Sequence, residues 1–138
     1  MANGLEAVKR KLRSHAKAAI EAGRQEARKQ AEIIAGLARS FAPAEELDLI
    51  KSIRVEDAST VTTRGVEQGF VGAVVKAGSE DTIVTNSTGA RFQNAKLQET
   101  GTQNMPASPY FNPAKRIRRR AARSAISRAV RNGWKAGG

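Results

Sequence analysis

Residues 97–114 read LQETGTQNMPASPYFNPA. One acid, Glu99, precedes Thr100-Gly101-Thr102, and a polar loop then leads to Tyr110 and Phe111, set between Pro109 and Pro113. Gly101 accepts a backbone conformation that other residues resist. Pro106, Pro109 and Pro113 reduce the freedom of the unfolded loop. Asn112 is a good helix cap and Pro113 a good first helical residue. Glu99 has two acceptor oxygens for loop amides or for an arginine of the helix that follows. The stretch therefore turns the chain and launches a last helix, with Tyr110 and Phe111 pinning that helix to a sheet.

In this last helix Ala114, Ile117, Ala121, Ala122, Ala125, Ile126, Ala129 and Val130 recur at helical spacing and define an apolar face. Gly133 is a natural stop, leaving 133–138 as a flexible tail with Trp134 free to fold back or to dock on a partner. Upstream, residues 3–41 form one long helix. Asn3 is its cap and Glu6 the capping-box partner. Leu5, Val8, Leu12, Ala16, Ala19, Ile20, Gly23, Ala27, Ala31, Ile34, Ala38 and Phe41 make one stripe on it. The stripe is narrow around Gly23, a place for another helix to approach closely or for the helix to break. Such a helix spans about 57 Å, long for a small domain, so part of it is expected to project or to pack against another subunit.

Ala42-Pro43 ends the first helix, because the residue before a proline disfavours helical backbone. Between the helices the period falls to two. Strands are expected at about 50–57, over 70–77 and at 82–85, within a sheet spanning 50–86. Turns fall at Gly78–Asp81 and Asn86–Gly89, and a short helix covers about 91–99. The order predicts one α+β domain over 1–138, with a long N-terminal helix, a small antiparallel sheet, a short helix, a Pro-rich loop and a basic C-terminal helix within 91–132.

The formal charge is +11, unevenly spread. Residues 1–40 hold nine Lys and Arg against four acids, residues 41–99 six against nine, and residues 100–138 nine against none. Basic ends and an acidic middle fit faces that meet an acidic neighbour, or a basic end near nucleic acid. Lys9, Arg13, Lys17, Arg116, Arg119, Arg120 and Arg123 are the candidate partner-facing or DNA-facing residues. The basic residues of the last helix surround it rather than forming one reading face, and Arg118 falls within the apolar stripe.

The chain has no cysteine and one histidine, His15, which lies among basic residues. A disulfide or a cysteine-ligated zinc is excluded. A lone surface histidine is a commoner reading than a catalytic base. Glu45/Glu46, Glu56/Asp57 and Glu80/Asp81 are adjacent pairs, whose side chains diverge. No phosphate-binding loop is recognisable. Neither an enzyme nor a cofactor or metal is expected. With no signal-peptide run and no 18-residue apolar stretch, the protein is expected to be made soluble in the cytoplasm, without a membrane.

The chain resembles the tail-completion, or head–tail joining, family of long-tailed bacteriophages. The resemblance rests on Ala95, Glu99, Gly101, Thr102, Pro106, Pro109, Tyr110, Phe111, Pro113 and Ala114, and upstream on Ala42, Pro43, Leu49, Ser52 and Ile53. It spans about residues 5–132. Asn94 stands where the family carries an aromatic, one residue is inserted in Pro109-Tyr110-Phe111, and acids follow Ala42-Pro43. The resemblance implies a non-enzymatic virion protein of the neck. It would act as a ring, hexameric in most tails, beside head-completion or adaptor proteins and the tail terminator, near the DNA in the channel. A small nucleoid-type DNA-binding protein using the C-terminal helix is the alternative.

Overall fold

The computed structural model describes residues 2–137. Its elements are α1 (Ala2–Phe41), α2 (Leu47–Ser52), β1 (Arg54–Thr63), β2 (Val66–Lys76), β3 (Ile83–Thr85), β4 (Arg91–Gln93), α3 (Asn94–Thr100) and α4 (Phe111–Ala136), with a single 3-10 turn at Glu80–Thr82 before β3. The expected α+β class and element order are borne out. The antiparallel strands pair as two two-stranded pieces, β1 with β2 and β3 with β4.

Several boundaries differ from expectation. Asn3 lies inside α1 and is not its cap. The first strand starts at Arg54, because Leu47–Ser52 is helical and buries Leu49 and Ser52 on one face. β1 and β2 are longer than expected and meet at Arg64-Gly65, both at positive φ (53° and 78°). Two such residues make the tight turn whose twist matches a hairpin, so Gly65 joins strands that run through residues left outside the expected ones. Residues 91–93 are a strand, pairing Ile83 with Gln93, Val84 with Phe92 and Thr85 with Arg91.

The described chain forms two compact units. One holds residues 31–56 and 74–120. Its core is Ala35, Ala38, Ala42, Leu49, Ile53, Ala95, Tyr110 and Ala114, with Ile34, Leu37, Val55, Val75 and Phe111 packed against it. Five of these eight residues are alanines, small enough for close packing, and Tyr110 supplies the bulk. Polar ties close the gaps. The Arg39 guanidinium donates twice to the Ile53 carbonyl, at 2.6 and 3.2 Å. The Ser52 hydroxyl donates to Leu49 O (2.6 Å) and accepts from Gly78 N (2.9 Å), joining α2 to the end of β2.

The other unit holds residues 1–30, 57–73 and 121–138, within which α1 and α4 pack antiparallel. A Cβ built on Gly133 would meet Ala22 Cβ at 2.7 Å and Ala18 O at 2.8 Å, and one on Gly137 would meet Ala18 Cβ at 2.7 Å. Gly23 and Val130 meet in the same way, at 2.9 Å. The close approach expected at Gly23 is therefore present, and α1 runs through without a break. This contact also overturns the expected stop. Gly133 stays helical because only glycine fits beside Ala18 and Ala22, and α4 continues to Ala136. Residues 133–136 of the expected flexible tail are thus helix, and Gly138 lies outside the described residues. Trp134 stacks on His15, with ring centroids 5.2 Å apart.

Candidate functional site

The loop of residues 97–114 is organised by one carboxylate. Glu99 Oε2 accepts from the backbone N–H groups of Tyr110 and Phe111, and Oε1 from that of Asn112, all at 2.9 Å. A helix leaves its first four N–H groups without partners inside it. With α4 starting at Phe111, those four belong to residues 110–113. Three go to Glu99, and the fourth residue, Pro113, has no N–H. The negative charge also faces the positive end of the helix dipole. Burial pushes the Glu99 carboxyl upward, but the hydrogen bonds from Phe111, Asn112 and Tyr110 outweigh it and hold the pKa below the ordinary value of 4.5. The expected capping by Asn112 is corrected. Asn112 is already helical, and its amide is a donor to a carboxylate that α3 brings across the loop.

Gly101 turns the chain out of α3 at φ 75°, and its N–H donates to Leu97 O (2.7 Å). A Cβ there would meet Ala107 N at 2.7 Å. Thr102 N donates to Met105 O, and Ser108 N to Gln98 O, each at 2.8 Å. The tip at 103–107 is exposed apart from half-buried Met105. Tyr110 is almost wholly buried, donates its hydroxyl proton to Ala95 O (2.9 Å), and meets Phe111 edge to face. Burial, and then the Glu99 charge, push its phenol up to about 12. Of the other motif residues, Ser52 and Ile53 are buried, Pro43 and Pro113 half-buried, and Thr102 and Pro109 exposed. The structure thus gathers Glu99, Gly101, Tyr110 and Phe111 into one joint, and uses Ser52 and Ile53 elsewhere in the same core.

Lys9, Arg13, Lys17, Arg116, Arg119, Arg120 and Arg123 are all exposed. On α4 the place of Arg118 within the covered stripe is borne out, and that of Ile117 is corrected. Ala114 and Ala122 are buried with half-buried Arg118 between them, whereas Ile117 is 61% exposed. The covered face is rotated from the expected stripe, because the close packing selects alanine and glycine. That rotation leaves Asn112, Lys115, Arg116 and Arg119 lining one shallow hollow, at the spacing of successive turns on one helix side.

Leu5, Val8 and Leu12, part of the apolar stripe on a helix expected to project in part or to pack against another subunit, are 58%, 55% and 52% exposed. Two other surface features escaped the sequence reading. Leu47 is 60% exposed among Glu45, Glu46 and Asp48. The ribbon over residues 62–69 is exposed on both faces. A period shows which residues share a side, not whether anything lies over it. Among the described residues, no helix is long and apolar enough to cross a membrane.

No protein-family model, no curated protein and no solved structure matches the chain.

Proposed function

We propose that this chain is a non-enzymatic structural protein of a phage particle, a ring-forming connector of the neck that joins the tail to the DNA-filled head. The observation that carries the reading is the Glu99 joint. The residues behind the resemblance, Glu99, Gly101, Tyr110, Phe111 and Pro113, all find their use in fixing the start of α4. A segment built this way presents a basic helix in one orientation, which suits a connector that must match neighbours on two sides. Its neighbours in that role are head-completion or adaptor proteins and the tail terminator. Electron microscopy of particles assembled without the protein tests it. Filled heads beside separate tails are expected, and normally joined virions would sink the proposal.

A second reading rests on the hollow of Asn112, Lys115, Arg116 and Arg119, with Arg120 and Arg123 also exposed on α4. Such a surface neutralises duplex phosphates without reading sequence. Submicromolar duplex binding at physiological salt, with a steep salt slope and no effect on tail joining, would favour it.

A further inference from the structure

The first three turns of α1 leave a helix face uncovered. Gly137, just past the end of α4, packs at Ser14, His15 and Ala18, and the Ser14 hydroxyl donates to Gly137 O (2.7 Å). Towards the N-terminus the apolar seam continues as Leu12, Val8 and Leu5, each more than half exposed. An exposed aliphatic row at helical spacing is what a partner covers. Lys9, Lys11 and Arg13 border the row. Two such arms laid together would set like charges side by side, which opposes pairing arm to arm. Nucleic acid fits the rim but not the row, since phosphates offer nothing to three aliphatic side chains. The complementary surface is acidic with an apolar centre.

The chain carries such a surface at residues 44–48. Leu47 opens α2 at 60% exposure, Glu45 and Asp48 beside it are exposed, and Glu46 is fixed by the Asn94 amide, which donates to it at 2.9 Å. The platform is rigid, because Leu49 and Ile53 just behind it are almost fully buried. We infer that the arm formed by Leu5, Val8 and Leu12 docks on the Leu47 platform of a second copy of this chain, with Lys9 and Arg13 facing Glu45 and Asp48. This gives the homo-oligomer of the connector reading its contact surface and rests on that reading. The contact is heterologous, so each copy offers one arm and one platform, and repetition closes a ring or grows a chain. Three or four aliphatic side chains make a small interface, so association follows concentration and weakens as salt screens the rim.

Sedimentation velocity of the full chain and of two variants tests the contact. Leu12→Asp and Leu47→Asp each put a charge at the centre of the contact. Each is expected to raise the dissociation constant about tenfold or more. Both positions are exposed, and an unchanged circular dichroism spectrum checks that the fold is kept. The diagnostic step is mixing. The two variants together retain one intact arm and one intact platform, so they form a one-to-one dimer that grows no further. In the cysteine-free background, Leu12→Cys on one copy and Leu47→Cys on another give a disulfide between the two on oxidation. A monomer at all concentrations, variants that associate like the parent, a mixture that stays monomeric, or no Leu12→Cys to Leu47→Cys disulfide between the two copies would each overturn the inference. Particles that join normally when supplied with Leu12→Asp would overturn the contact alone. Particles that join with no protein at all would overturn the connector reading.

Discussion

Glu99 holds the first backbone amides of the helix entered at Tyr110, while the Tyr110 hydroxyl reaches back to Ala95, four residues before Glu99. The two residues fasten α3 and α4 in both directions. One tie is electrostatic and lies at the helix end, the other is buried in the core.

Removing the carboxylate leaves three amides without partners. Loss of a helix cap costs roughly 0.5–2 kcal/mol, and part-buried donors without acceptors add to it. Glu99→Ala is therefore expected to destabilise by about 2–3 kcal/mol. Glu99→Gln, which keeps one acceptor but loses the charge, should cost about half of that. Urea denaturation followed by circular dichroism measures both, and a Glu99→Ala midpoint equal to the parent's would remove Glu99 from this role.

The same bonds make stability fall in acid. The folded pKa of Glu99 lies below 4.5, so its contribution is present above the unfolded value and is lost as pH drops through the folded one. Below pH 4.5 the parent should lose stability faster than Glu99→Gln, whose side chain does not titrate. Parallel profiles for the two proteins would contradict this.

At the alkaline end the sign reverses. The Tyr110 phenol is raised from 10.0 to about 12, so its contribution is complete below pH 10 and is lost as pH rises towards 12. Tyr110→Phe should abolish that alkaline component. It should also cost about 1 kcal/mol at neutral pH, because the Ala95 carbonyl loses its donor. Thermal melts between pH 7 and pH 12 separate the two effects.

Glycines on the helices should respond with opposite signs. Gly133→Ala gains helix propensity of about 1 kcal/mol but drives a methyl into Ala22 and the Ala18 carbonyl, where overpacking costs about 1–3 kcal/mol. A net loss is expected. Gly4→Ala and Gly36→Ala meet nothing within 4 Å and should stabilise by about 0.5–1 kcal/mol each. Stabilisation by all three in thermal melts would show that the α1–α4 approach is looser than described.

What the sequence by itself determined is local. Periodicity placed both long helices, Ala42-Pro43 ended α1 at Phe41, and Glu99 with Gly101 marked the turn before α4. These follow from backbone preferences within a few residues. What only the tertiary structure decided depends on partners far along the chain. α4 starts before Asn112 because a carboxylate 11 to 13 residues earlier satisfies its amides. It passes through Gly133 because Ala18 and Ala22 leave room for no side chain. Ile117 faces solvent, since the packing needed small residues at Ala114 and Ala122 rather than the most apolar ones. Period and propensity select a face for a helix, and the distance to its neighbour decides which residues of that face can be covered.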